Sequence, residues 1–185
     1  DLYCKMLNEA VMKLKGDQVV EDNFETVLDL DIDAFIPSSY IKNEVQKLEI
    51  YKRIAGVENE EEYEEMIDEL SDRFGELPKS AQNLLDIALL KAQAHEACIT
   101  QLSCRNGETK IFLYKNAQVC VEKIPELVQR YGARLRFKSA EQPHFILKMK
   151  KEEMQNILKC EKSVIKDIKG LLEDKKSTIM DKVEK

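Results

Sequence analysis

The strongest constraint in this sequence lies between Asn59 and Pro78, where a single helix is marked at both ends. Asn59 is a favourable N-cap, and Glu62 follows three residues later, at the spacing of a capping box. Gly75 can adopt the left-handed conformation that closes a helix, and Pro78 cannot continue one. The apolar residues between these ends recur at spacings of three and four and predict one buried stripe: Tyr63, Met66, Ile67, Leu70 and Phe74.

The other face of this helix is acidic along most of its length. Early carboxylates favour the helix dipole, but Asp68, Glu69 and Asp72 lie in later turns, where acids do not stabilise a helix. Glu69 and Asp72 stand three residues apart and project from the same side, which suits a partner that carries arginines. Judged from the residues alone, a solvated acidic face is the commoner meaning of such a run. Docking on a basic partner is the alternative.

The first half of the chain predicts helices around this one. A helix is expected to start after Pro37, with Ser38 or Ser39 as its cap, and to end at Gly56, which makes it an antiparallel neighbour of the acidic helix. A third helix, from residue 80 to about residue 97, has apolar coverage nearly all round and is expected to be central. Alternation over residues 24–36 predicts a half-buried strand.

The second half changes to short β-prone runs at residues 99–103, 110–114, 118–121, 134–138 and 145–149. Asn106-Gly107 is a strong signal for a hairpin turn. A short helix at 125–131 and a long C-terminal helix from about Glu152 complete the pattern. The sequence therefore predicts an α+β fold, in which a helical hairpin and a central helix pack with a small, mainly antiparallel β-sheet and a long C-terminal helix.

Metal sites receive little support from the residue spacing. Asp29, Asp31 and Asp33 resemble the start of a calcium loop, but Ala34 and Tyr40 occupy the positions where that loop needs glycine and glutamate. His95 and Cys98 lie close together, but further ligands would stand at unpatterned distances. The five cysteines include no Cys-x-x-Cys pair and read as reduced thiols of a cytoplasmic protein.

No catalytic pattern stands out either. The chain has no glycine-rich phosphate loop, nucleophile elbow or dinucleotide motif, so no catalytic, cofactor-binding or metal-binding residue is assigned. No apolar run approaches the length that spans a bilayer, and no membrane partner is expected.

Charge divides the chain unevenly. Residues 1–109 carry 11 basic and 24 acidic side chains, whereas residues 110–185 carry 18 basic and 11 acidic ones. The basic half could bind nucleic acid, with aromatic side chains supplying stacking. The candidate contacts share alternating strand positions or neighbouring helix ends: Arg134, Arg136, Lys138, Lys148 and Lys150. A solvated strand face explains the same charges, so this remains the alternative function.

Several motifs occur together: Tyr-Lys-Arg-Ile at 51–54, Asp-Arg-Phe-Gly-Glu-Leu-Pro at 72–78 and Leu-Leu-Asp-Ile-Ala at 84–88. In this combination the chain resembles the bacterial transcription-repair coupling factors, the Mfd family. The resemblance implies that residues 1–17 are the terminal helix of a preceding translocase domain and 18–25 a linker. It makes 26–175 the C-terminal regulatory domain and 176–185 a charged tail prone to disorder.

The resemblance also implies a function. Members of the family are ATP-dependent translocases that push stalled RNA polymerase off a DNA lesion and recruit UvrA for nucleotide-excision repair. Their C-terminal domain performs no chemistry. It docks on the N-terminal UvrB-like module of the same protein and masks the surface that UvrA needs. ATP, magnesium and DNA are then handled by the parent motor, outside this chain.

The family's Glu-x-x-Asp-Arg-Phe-Gly motif directs its two carboxylates at arginines of that module. In this sequence those carboxylates fall on Glu69 and Asp72, and the candidate docking set is completed by their neighbours Arg73, Asp68 and Glu65. Ser71 replaces a bulky aliphatic residue that is usual in the family, which is expected to soften packing beside the interface.

Overall fold

The computed structural model describes residues 24–139 and 141–172. It divides into two compact units, one ending at Gln93 and the other beginning at Ala94. The predicted segment 1–17, most of the linker 18–25 and the tail 176–185 lie outside the described residues. The predicted extent of one regulatory domain over 26–175 stays a prediction.

The first unit contains one strand and three helices. They are β1 (Val27–Leu30), α1 (Glu44–Ala55), α2 (Glu60–Phe74) and α3 (Lys79–Glu96), the last of which continues into the second unit. Apolar side chains from these helices and from the segment before α1 form one core, in which Ile41, Ile50, Ile54, Leu70 and Leu85 are almost fully buried. The predicted helical hairpin and third helix are thus present.

The serine cap predicted for α1 is wrong. Residues after Pro37 form a turn, in which the amides of Tyr40 and Ile41 both donate to the Pro37 carbonyl. The helix begins at Glu44 because Asn43 Oδ1 accepts hydrogen bonds from the next free amides, those of Val45 and Gln46, at 3.0 Å.

The predicted strand at 24–36 is shorter than expected. Only Val27–Leu30 is a strand, because the amides beyond it bond outside any ladder. The amide of Phe35 donates to the carbonyl of Ser80 at 3.1 Å, and that of Ile36 donates to the Tyr51 hydroxyl at 2.8 Å. Asp31 and Asp33 therefore lie after the strand rather than on its face.

The second unit is built on an antiparallel sheet. Strands β2 (Ile99–Arg105), β3 (Glu108–Leu113), β4 (Leu135–Lys138) and β5 (His144–Lys148) lie in the order β2-β3-β5-β4. The turn between β2 and β3 confirms the Asn-Gly prediction, since Asn106 and Gly107 both have positive φ, of 52° and 74°. The elements together form an α+β fold, as predicted.

The second unit differs from prediction in two places, one at a predicted strand and one at the C-terminal helix. Helix α4 (Ile124–Tyr131) lies between short 3₁₀ turns, and the predicted strand at 118–121 is replaced by an isolated bridge from Val119 to Leu172. The C-terminal helix is divided into α5 (Lys151–Gln155) and α6 (Ile157–Lys169). The division falls at Asn156, whose non-helical backbone (φ −138°, ψ 67°) ends one helix and whose side chain caps the next.

A carboxylic acid of α6 is buried against the inner face of the sheet. Thr109 on β3 is fully buried, and its hydroxyl donates to Oε1 of the fully buried Glu161 on α6 at 2.6 Å. Burial raises the pKa of Glu161 to about 7, against the opposing effect of the Thr109 hydrogen bond. The folded protein therefore favours the protonated acid below about pH 7.

We expect Glu161→Gln to stabilise the protein progressively as pH rises. The folded-state pKa lies above the unfolded value, so the protonated acid supports folding at low pH, and this support is lost as pH rises toward and through about 7. Gln cannot ionise, and its advantage over Glu should grow between pH 5 and pH 8, to at most about 3 kcal/mol. Urea unfolding at the two pH values measures this difference.

The exposed acid Glu122 provides the control, and Glu122→Gln should show no such growth. If Glu161→Gln changes the free energy of unfolding equally at pH 5 and pH 8, the pKa of Glu161 is not raised in the folded protein.

Candidate functional site

The candidate docking residues form one line along the solvent face of α2. Glu65, Asp68, Glu69 and Asp72 follow the spacing of three, four and seven residues that places side chains on the same side of a helix. We call these four residues the acidic stripe. Glu65, Asp68 and Asp72 are exposed, whereas Glu69 is partly buried.

The start of α2 holds this face in place. Asn59 Oδ1 accepts a hydrogen bond from the Glu62 amide at 2.9 Å, which confirms the predicted N-cap. The Glu62 carboxylate reaches back to the amide of Glu58 at 2.8 Å rather than to that of Asn59. Both interactions satisfy amides that would otherwise lack a partner at the helix start.

Glu69 is bound by two arginines of the same unit. Arg53, near the end of α1, donates from Nη1 and Nη2 to the two carboxylate oxygens, and Arg73 Nη1 donates to Oε1 at 3.0 Å. The hydrogen bond from Arg53, followed by that from Arg73, lowers the pKa of Glu69 to about 2. Glu69 is therefore ionised at neutral pH and already paired. We call this the Arg53–Glu69–Arg73 network.

The end of α2 is fixed by aromatic side chains. The Tyr40 hydroxyl lies 3.0 Å from the carbonyl oxygen of Leu70 and 2.9 Å from that of Gly75, so it can donate to either. The Tyr40 ring contacts the Phe74 ring at 5.8 Å, and the Arg73 guanidinium lies 5.0 Å above Phe74. Gly75 leaves the helix with φ of 90°, which other residues rarely adopt.

The remaining members of the stripe have no basic partner among the residues that the structure describes. Among the described residues, the arginines that pair with the stripe both bind Glu69, and Asp72, Asp68 and Glu65 stay available to solvent. Ser71 is exposed as well, and its expected effect on packing beside the interface stays a prediction. What the stripe offers chemically is a row of carboxylates on one face of a helix.

The predicted nucleic-acid residues separate into two groups. Arg134 donates to Glu153 at 2.8 Å and lies 5.8 Å above the Tyr131 ring, and Lys150 precedes α5. By contrast, the exposed cations Arg136, Lys138 and Lys148 lie on the outer face of the sheet, opposite to the buried face. Arg134 and Lys150 thus do not share that face.

Sequence reasoning missed several neighbours of these cations. Strand pairing brings Lys110 and Phe112 of β3 and His144 of β5 onto the same outer face. Alternation along β3 could have indicated Lys110, but their grouping depends on the pairing of β3 with β5. Arg53 was likewise missed, although it lies in the Tyr-Lys-Arg-Ile motif.

Within 24–139 and 141–172, no group of three or more His, Cys, Asp and Glu side chains is arranged to hold a metal ion. The four cysteines in the part of the chain that the structure describes form no disulfide with one another. None of the described helices is long and apolar enough to cross a membrane.

Comparison with known proteins identifies relatives over most of the chain. Residues 30–124 match the TRCF domain family. The transcription-repair-coupling factor of Bacillus subtilis (strain 168) is 34% identical over 137 residues, which cover 73% of this chain and 12% of that protein. The transcription-repair-coupling factor of Rickettsia prowazekii (strain Madrid E) is 34% identical over 173 residues, which cover 93% of this chain and 14% of that protein.

The chain thus spans only 12 to 14% of the length of these relatives. A solved structure is also similar: the C-terminal domain of transcription-repair coupling factor, with a TM-score of 0.59 and 28% identity, covering 80% of this chain and 95% of that chain. With half of its residues matching the family and its fold matching a solved member, the chain belongs to the TRCF domain family of transcription-repair coupling factors.

Proposed function

We propose that this chain is the non-catalytic regulatory domain of a transcription-repair coupling factor and that its acidic stripe docks on the N-terminal UvrB-like module of the same protein. Docking masks the surface that UvrA binds and restrains the ATP-dependent translocase until RNA polymerase is engaged. ATP, magnesium and DNA are handled by the parent motor in the cytoplasm, with no membrane involved.

The observation that carries this proposal is the exposed Asp72 near the end of α2. Asp72 is exposed and has no basic partner among the described residues, whereas Glu69, three residues before it, is held by two arginines. The Asn59 cap and the Tyr40 hydroxyl fix the two ends of α2. Because the backbone of α2 is already ordered, binding of an arginine to Asp72 costs side-chain entropy but little backbone entropy.

Glu69 and Asp72 contribute unequally in this proposal. A carboxylate has about four acceptor positions, and N–H groups of Arg53 and Arg73 occupy three of those on Glu69. Glu69 can therefore accept one further hydrogen bond but not a second forked pair. Asp72 retains both oxygens for a bidentate contact with an arginine of the module. We assign the main contact to Asp72 and a supporting contact to Glu69.

A modest contact is sufficient for this role. The module and this domain belong to one protein in the proposal, so their tether raises the effective concentration of one for the other. Docking then biases a two-state equilibrium between a closed and a released form. Engagement of RNA polymerase shifts the equilibrium toward release.

We expect Asp72→Asn to weaken docking at least about tenfold, because the substitution removes one charge from a hydrogen-bonded ion pair. The side chain is exposed, so folding should be unchanged. Chemical-shift titration of the labelled 185-residue chain with the N-terminal UvrB-like module measures the affinity and also detects weak complexes.

Glu122→Gln is the control, since Glu122 is an exposed acid that lies outside α2 and therefore outside the stripe. Its affinity should equal that of the unaltered chain. If Asp72→Asn and the unaltered chain bind the module with equal affinity, Asp72 is not part of the interface. Absence of shifts at α2 under saturating module would contradict docking through the stripe.

The network should restrain docking, because Arg53 competes with an incoming arginine for Glu69. We therefore expect Arg53→Gln to tighten docking several-fold, and the gain should disappear when Glu69→Gln is also present. The same titration on the two single variants and on the double variant completes a double-mutant cycle, which gives the coupling between Arg53 and Glu69. A weaker complex for Arg53→Gln would mean that Arg53 orients Glu69 for docking rather than competing for it.

A further inference from the structure

The side chains on the outer face of the second unit's sheet form a regular array, which is separate from the acidic stripe. In an antiparallel ladder, residues directly opposite each other point to the same face. The pairing therefore sets Ser103, Lys110, Ile146 and Arg136 side by side across all four strands. Ile146 is 6% exposed although it points outward, and its neighbours Lys110 and Arg136 have long aliphatic stems that can cover it.

The next row of the same face contains an aromatic pair. Phe112 on β3 stands opposite His144 on β5, and their rings stack with centroids 4.9 Å apart and planes at 25°. Both side chains are partly exposed. Lys138 on β4 stands opposite His144, so a cation ends this row. Each ring keeps one side that the other ring does not cover.

The row on the other side of Lys110 explains where the positive charge is concentrated. Glu108 stands between Arg105 and Lys148 and offsets part of their charge. Lys110, Arg136 and Lys138 have no carboxylate opposite them in the ladder, and all three are exposed. The surplus of positive charge therefore lies next to the stacked rings.

An open groove lies on this face. Its volume is about 330 Å³, and it is lined by Ser103, Arg105, Asn106, Glu108 and Lys110. The groove begins at the turn between β2 and β3 and reaches Lys110, so the cation lies beside a depression rather than on a flat surface.

We propose that this outer face, which we call the basic sheet face, binds a single-stranded nucleic acid. Phosphates lie along Lys110, Arg136 and Lys138, and an unpaired base stacks on the Phe112–His144 pair. This combination of backbone cations with aromatic stacking binds single strands with little sequence preference. The proposed surface belongs to the second unit and is independent of the acidic stripe.

The stacked pair of rings indicates which anionic partner fits this face: an acidic peptide, a nucleic-acid duplex or an unpaired strand. An acidic peptide would use the cations but has no group that requires a stacked pair of rings beside them. The bases of a duplex are paired and stacked on each other, so their faces are not available to Phe112 or His144. Only an unpaired strand uses both parts of the surface.

The test measures binding of the complete 185-residue chain to a fluorescent thymidine oligonucleotide of about 16 residues, over a series of salt concentrations. Each phosphate contact on a single strand contributes about 0.7 to the slope of log affinity against log salt. We expect Lys110→Gln combined with Arg136→Gln to lower that slope by about 1.4. Phe112→Leu should keep the slope and weaken binding about tenfold, because it removes stacking without changing charge.

Lys159→Gln combined with Lys166→Gln is the charge-matched control, because both lysines are exposed on α6, away from the sheet. Far-ultraviolet circular dichroism checks that each variant is folded. Lys138→Gln alone, with an expected slope change of about 0.7, serves if the double variant on the sheet does not fold.

The proposal predicts that the single strand binds more tightly than its duplex and that polyglutamate of the same charge competes poorly. Equal binding of duplex and single strand, or no effect of Phe112→Leu, would overturn it. Effective competition by polyglutamate would instead assign the face to an acidic protein. A control variant that loses as much slope as the sheet variant, or no saturable binding at low salt, would also overturn it.

Discussion

The pairing of Glu69 with Arg53 and Arg73 is the interaction on which the acidic face of this domain depends. It joins the end of α1 to the later part of α2 and neutralises the one carboxylate of the stripe that is partly buried. Acids late in a helix are unfavourable to the helix dipole, and the two guanidinium groups offset that cost at Glu69. Asp72 receives no such compensation inside the described chain, and this difference makes Asp72 the principal contact in the proposed docking.

Features with local signals could be predicted, and features that depend on distant pairing could not. Helix α2 was predicted at both ends because Asn59 and Gly75 act on their immediate neighbours. The start of α1 was misplaced because Ser38, Ser39 and Asn43 are all good caps, and tertiary structure placed the serines in a turn. The bond between Arg53 and Glu69 spans 16 positions and appears only once α1 and α2 pack together.

The candidate surfaces follow the same rule. The resemblance to a known family pointed to Glu69 and Asp72, and the helical spacing placed them on one face. The basic sheet face was only partly anticipated: Arg136, Lys138 and Lys148 belong to it, while Arg134 is bound to Glu153 instead. Lys110, Phe112 and His144 join it through the pairing of β3 with β5, which the hairpin signal at Asn106-Gly107 does not determine. Uneven charge along the sequence thus corresponds to two local surfaces, one acidic on α2 and one basic on the sheet.

The most direct test of this account is the pKa of Glu69, measured by carbon-13 NMR of its side-chain carboxyl group across an acid titration. The account predicts a midpoint near 2, because the Arg53 hydrogen bond and then that of Arg73 favour the ionised form. It also predicts that Arg53→Gln raises the midpoint toward the ordinary value for glutamate. A midpoint near that ordinary value in the unaltered protein would show that Glu69 is not held by the network. Unequal roles for Glu69 and Asp72 would then lose their physical basis.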